Sequence, residues 1–219
     1  MSAIDDKYGQ LGGPSGFLGA PKGPEIQCAD PTLRRRDYAN GSIYFWNRST
    51  TGAHEVHGDI AQKFYALQAE AGFLGFPVSD ETVLSDGVGR VSHFRAGDVY
   101  WRSSTGAFEV HGAIGGRYAG IGGPQSVLGY PLSDEGDTSD KTGRWNQFEF
   151  GVIFWKFGVG AHEVHGAILA KWKSLGEQAG SLGYPLTNEI PVSSPAYGRR
   201  NTFEHGAILW TPTGGANVV

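Results

Sequence analysis

The chain has 219 residues, with 18 lysines and arginines against 22 aspartates and glutamates and a formal net charge of −4. Only Arg34-Arg35-Arg36 gathers basic residues, which argues against a nucleic-acid surface. No apolar run approaches a membrane span, and the single cysteine, Cys28, excludes an internal disulfide.

Glycine is abundant, at 35 residues, and recurs at fixed places, which reads as turn chemistry rather than disorder. The places are those of a unit of roughly 54 residues present four times. Each unit opens with apolar residues at i, i+4 and i+7: Ile4/Tyr8/Leu11, Ile60/Phe64/Leu67, Ile114/Tyr118/Ile121 and Ile168/Trp172/Leu175. This is one face of a two-turn amphipathic helix. Gly16, Gly72 and Gly180 follow, suited to a helix C-terminus. Next comes Leu-Gly-x-Pro at 18–21, 74–77, 128–131 and 182–185, in which glycine allows a bend and proline forces extension. An acidic residue stands four places after each proline: Glu25, Glu81, Glu135 and Glu189.

A polar loop then leads to short strands. The first runs Arg34–Tyr38, Arg90–Phe94, Arg144–Phe148 and Arg199–Phe203. The second is Gly41–Tyr44, Gly97–Trp101, Gly151–Trp155 and Gly206–Trp210, and the third is Ala53–His57 or Ala161–His165. These runs are β-branched or aromatic and separated by glycine turns, as an antiparallel meander requires. The first repeat carries two extra residues after Ile43, so Phe45 or Trp46 takes the tryptophan place.

The fold expected is mainly β with short helices: a single domain of four repeats, approximately 4–59, 60–113, 114–167 and 168–219 closing with 1–3. Such a unit cannot bury its apolar face alone, whereas radial repetition both buries it and protects strand edges. The spacing from Val99 to Ile114 and from Ile153 to Ile168 is 15 residues, and counting from Ile208 through Val219 to Met1 and on to Ile4 gives 15 again. That register predicts a pseudo-fourfold, propeller-like ring whose termini complete one shared repeat.

Three groups of residues are candidates for ligand binding. In Glu55/His57, Glu109/His111 and Glu163/His165 the pair shares one strand face, with His54 and His162 pointing away. A carboxylate beside an imidazole can bind sugar hydroxyls, order an inter-repeat network or hold a metal, but the spacing lacks the H-E-x-x-H pattern and a third ligand. At the seam this cluster is lost, with Asn217, Val218 and Met1 in its places, which leaves three competent copies. Arg90, Arg144 and Arg199, with Arg34, recur opposite the loop glutamates and predict bidentate ion pairs, or groups presented to a saccharide. Trp101, Trp155 and Trp210 offer either core packing or faces for the C–H surfaces of sugars. Trp172 takes the helical core place of Tyr8 and Phe64. Every candidate recurs by symmetry, which argues against an asymmetric catalytic constellation, and no cofactor-binding motif is present.

Together the tetrapeptides, the Gly-Arg and Gly-x-Ile-x-Trp strands and the Gly160–Ile168 stretch GAHEVHGAI resemble the LGFP repeat family, with Leu74-Gly75-Phe76-Pro77 matching the motif letter for letter and Ala20 departing from it. The resemblance covers essentially the whole chain. It implies a module of actinobacterial surface proteins and cell-wall enzymes that binds cell-wall glycan. The function expected is therefore a non-enzymatic carbohydrate-binding module or lectin for peptidoglycan or an arabinogalactan-type polysaccharide. The alternatives are a structural or protein-interaction scaffold and a metal-dependent hydrolase. An extracellular or wall-associated place follows from the resemblance; Met1-Ser2-Ala3-Ile4 enters the first repeat without a visible leader peptide, which leaves non-classical release of a cytoplasmic store as the other expectation.

Overall fold

The computed structural model describes residues 1–193 and 197–219. The chain divides into two compact units, Met1–Glu109 and Val110–Val219. The first contains α1 (Ala3–Gln10), β1 (Ile26–Gln27), β2 (Leu33–Tyr38), β3 (Gly41–Trp46), β4 (Ala53–His57), α2 (Gly58–Ala66), β5 (Thr82–Val83), β6 (Arg90–Phe94), β7 (Gly97–Arg102) and the start of β8 (Gly106–His111). The second continues through α3 (Gly112–Gly120), β9 (Gly136–Asp137), β10 (Gly143–Gln147), β11 (Gly151–Lys156), β12 (Gly160–His165), α4 (Gly166–Ser174), β13 (Ile190–Val192), β14 (Gly198–Phe203), β15 (Gly206–Thr211) and β16 (Gly215–Val218).

The strands form four antiparallel sheets, each of four strands in sequence order. The repeat is therefore a helix and four strands, one more than the three expected. The additional strand, β1, β5, β9 or β13, is two or three residues long. That is too short for alternation to register in the sequence, and it is held by pairing with the next strand, as in Arg144↔Asp137. The glycines expected at helix ends, Gly16, Gly72 and Gly180, lie one step later, closing a single 3₁₀ turn after the helix.

The Leu-Gly-x-Pro segment binds each helix to its sheet. Its glycine has φ of +70°, +70°, +69° and +69° at Gly19, Gly75, Gly129 and Gly183, a left-handed bend that other residues resist. The proline then bridges the aromatic at the end of the second strand: Pro21↔Tyr38, Pro77↔Phe94, Pro131↔Phe148 and Pro185↔Phe203. The helical aromatic closes the bend from the other side. Tyr8 Oη donates to the Gly19 carbonyl (2.7 Å), Tyr118 Oη to that of Gly129 (2.7 Å) and Trp172 Nε1 to that of Gly183 (3.2 Å).

The leucine of the tetrapeptide is buried in every repeat, and Leu18, Leu128 and Leu182 lie against the glycine opening the third strand. A Cβ on Gly41 would meet the Val56 carbonyl oxygen at 2.2 Å and Leu18 Cδ2 at 2.9 Å; on Gly151 it would meet Leu128 Cδ2 at 2.4 Å. Around this contact the apolar faces collect. In the first unit Phe64, Leu74, Phe94 and Val99 pack together, and in the second Trp172, Leu182, Phe203 and Ile208 do so. Full burial of each such side chain contributes about 1.5–3 kcal/mol.

Candidate functional site

The last strand of a repeat runs straight into the next helix at His57-Gly58, His111-Gly112 and His165-Gly166. Each glycine has φ near +55°, which turns extended chain into helix within one residue. The histidine is the N-cap residue, yet its side chain caps nothing. The first-turn N–H groups are thus left without a side-chain cap, and the imidazole turns to the loop glutamate instead. Helix α1 differs: Ser2 and Asp5 form a capping box that closes its N-terminus.

His57 Nε2 lies 3.6 Å from Glu81 Oε1, His111 Nε2 is 3.6 Å from Glu135 Oε1, and His165 Nε2 is 3.4 Å from Glu189 Oε2. The same carboxylate meets an arginine Nε, at 3.4 Å for Arg90 and 2.8 Å for Arg144, and Arg199 pairs likewise with Glu189. The contact runs through Nε, and Arg144 extends Nη1 to Asp137 (2.6 Å). Directly across the strand pair from each arginine stands the tryptophan: Arg90↔Trp101, Arg144↔Trp155 and Arg199↔Trp210. Histidine, glutamate, arginine and tryptophan therefore form one row, three times over.

In the second unit this row lines two open pockets of about 190 and 240 Å³. Their linings are the same seven positions: His111, Gly112, Ala113, Ile114, Glu135, Arg144 and Trp155 in one, and His165, Gly166, Ala167, Ile168, Glu189, Arg199 and Trp210 in the other. The first-unit row differs at one position, where Asp59 replaces Ala113 and Ala167. Its Oδ2 accepts a hydrogen bond from Trp101 Nε1 at 2.7 Å, so the helix itself satisfies the indole there. Before β1 to β4 only the Glu25–Arg34 pair remains. The register Arg34↔Phe45 assigns the tryptophan place to Phe45, and Trp46 falls opposite Leu33.

The candidate carboxylates are sorted differently from the sequence expectation. Glu55, Glu109 and Glu163 are buried, at 2%, 2% and 5% exposure. Glu55 accepts from His57 Nδ1 (2.7 Å) and from the Glu81 backbone N–H (2.9 Å). Glu163 takes a fork of two bonds from Arg117 at 2.6 and 2.8 Å. The carboxylates lining the pockets are Glu135 and Glu189, for which the sequence left open both pairing with arginine and presentation to a saccharide. Their signal was the fixed interval after proline. The hydrogen bond to Glu55 raises the His57 pKa above the usual imidazole value, and burial raises that of Glu81.

His54 indeed turns away from Glu55, meeting Asp80 at 3.2 Å and Thr51 at 2.7 Å; His162 meets Asn188 at 3.0 Å. Although burial opposes it, hydrogen bonds from His54 and Lys7 hold Asp80 at about 2. Burial drives the Cys28 thiol up to about 12, which keeps it from acting as a thiolate. Among the described residues no group of three or more histidine, cysteine, aspartate or glutamate side chains is arranged to hold a metal ion, and no helix is long and apolar enough to cross a membrane.

No curated protein matches the chain. The LGFP repeat model matches residues 18–72, 74–126, 128–180 and 182–219. These segments coincide with the four structural repeats from one tetrapeptide to the next, and on that coverage the chain belongs to the LGFP repeat family.

Proposed function

We propose that the protein is a non-enzymatic carbohydrate-binding module that engages a cell-wall polysaccharide at the cell surface through several equivalent sites. The supporting observation is the recurrence of one seven-residue lining in two pockets of the second unit. Each offers an indole, a histidine and an arginine–glutamate pair beside uncapped helix N–H groups. An indole face suits the C–H surface of a pyranose, and the polar row supplies donors and acceptors for its hydroxyls. Pockets this small hold one sugar each, so single-site affinity is weak and repetition supplies avidity on the order of 100-fold or more.

We further propose that the terminal segments complete one shared repeat and close the array into a ring. The 15-residue register carried from Ile208 through Val219 to Ile4 supports this.

The test of function is retention on sedimented peptidoglycan and arabinogalactan-containing cell wall. Wild-type protein is expected to co-sediment, and Trp155→Ala with Trp210→Ala to lower retention at least tenfold, measured well below the melting temperature of the variant because Trp210 also packs against the core. No retention on any wall preparation, or retention indifferent to both tryptophans, removes the reading.

A further inference from the structure

A cavity of about 670 Å³ lies in the first unit and is not one of the repeated pockets. It opens between the β2–β3 hairpin and α2, and its size lies within the range of about 300–1,000 Å³ typical of small-molecule sites. Its floor is a connected polar set. Ser42 Oγ donates to Asp37 Oδ1 at 2.8 Å and lies 2.7 Å from Tyr65 Oη. Arg35 binds both oxygens of Glu70 through Nη1, at 2.7 and 2.9 Å, while its buried Nε makes no hydrogen bond and lies 3.7 Å from Asp37 Oδ1. At the rim the Phe17 ring packs on His57 with centroids 4.4 Å apart.

The corresponding seam in the second unit carries no charged group at these positions and is filled by apolar side chains at its centre. Val152 stands where the first unit has Ser42, and Leu169 where it has Ala61, and the two belong to one buried cluster. Trp145 and Gln178 replace the Arg35–Glu70 pair, and Gln147 replaces Asp37, its amide bonding the Phe148 and Gly151 carbonyls at 2.8 and 3.0 Å. Five exchanges in one place thus turn a packed seam into a polar cleft.

We propose that this cleft is a separate binding site for a neutral oligosaccharide of two or three units. Charge selects the class. Arg35 is committed to Glu70, and the lining's remaining lysine and aspartate, Lys22 and Asp37, carry opposite charges, so the lining has no net positive charge for a phosphate or carboxylate. What the lining presents is a mixture of donors and acceptors on Asp37, Tyr65, Asn40 and Gln62, beside the exposed Phe17 ring. A ligand whose every hydroxyl both donates and accepts matches that mixture, and the ring supplies an apolar platform.

The test uses full-length protein on an array of neutral and anionic di- to tetrasaccharides, followed by titration calorimetry with the best neutral trisaccharide. Wild type is expected to bind a neutral oligosaccharide with one site per chain. The double variant Ser42→Val/Ala61→Leu, which imports the second-unit pair, is expected to lose at least tenfold in affinity. Should that variant fail to fold, Asp37→Ala and Tyr65→Phe are expected to weaken binding while retaining the wild-type circular dichroism spectrum. Arg144→Ala and Arg199→Ala address the repeated pockets and are expected to leave the calorimetric site unchanged. Binding to no neutral oligosaccharide, preference for anionic ones, or full affinity in the filled variants overturns the proposal. Loss in the arginine variants alone overturns it too, while leaving the repeated-pocket reading standing.

Discussion

Replacing Asp59 with alanine gives the first-unit row the residue found at Ala113 and Ala167. The perturbation removes one hydrogen bond, from Trp101 Nε1 at 2.7 Å in an exposed setting, and one acidic group from the first turn of α2. First-turn acids contribute about 0.3–1 kcal/mol, and an exposed hydrogen bond to a charge adds little more, so the expected loss is about 1 kcal/mol. For a chain of this length that lowers Tm by roughly 2–4 °C. The gain is an indole N–H and a pocket floor available to a ligand. With effective concentrations in the millimolar range and a single-site Kd of about 0.1–1 mM, a further engaged site strengthens wall binding by roughly threefold to tenfold. The reverse change, Ala167→Asp, sets an acceptor beside Trp210 and is expected to weaken binding by a similar factor. Both are read from co-sedimentation isotherms on purified cell wall, with melting curves alongside. If Asp59→Ala leaves binding unchanged or weaker while Ala167→Asp has no effect, the indole row is not the binding element.

Gly41→Ala places a methyl 2.2 Å from the Val56 carbonyl oxygen, a backbone atom that cannot step aside, and is expected to cost about 1–3 kcal/mol or more by overpacking in thermal unfolding. Gly116→Ala, in the middle of α3 with nothing within 4 Å, is expected to stabilise by about 0.5–1 kcal/mol; a loss there would refute the packing assigned to that helix. Asp80 has a lowered pKa, so its contribution is present above its ordinary value of 3.8 and is lost as pH falls toward about 2. With a third of the side chain exposed the share is discounted to about 1 kcal/mol, and Asp80→Asn is expected to flatten this part of the acid limb in pH-dependent melting. His57 has a raised pKa, so its contribution is complete below about pH 6.5 and fades as pH rises through the folded value; Glu55→Gln should remove that alkaline decline.

The histidine–glutamate–arginine–tryptophan row was half legible before folding. His57, His111 and His165, the arginines and the tryptophans all recur at fixed intervals in the sequence, which treats them as separate groups; the strand register joins them. Two sets of glutamates recur equally well in the sequence, and only the folded chain separates them. Glu163 is taken by Arg117 from a helix 46 residues earlier in the chain, and Glu55 is turned inward by its strand position. No periodicity distinguishes a carboxylate consumed by such a partner from one left facing a pocket. Phe45 and Trp46 were equally balanced for a related reason: the two extra residues of the first repeat lie in the hairpin loop between β3 and β4, and cross-strand pairing alone locates them.

Sequence by itself determined the repeat, its helix, its principal strands and the turn at Leu-Gly-x-Pro, because these follow from local backbone preference and from which side chains can share a face. Tertiary structure decided which copies of the row are open. Ala167 leaves a pocket, Asp59 satisfies a tryptophan 42 residues away, and Ser2 caps the helix that has lost its histidine. It also decided that Ser42 and Ala61 open a cleft where Val152 and Leu169 fill one. Those outcomes depend on which atoms meet across packed elements, and a linear pattern carries no measure of that distance.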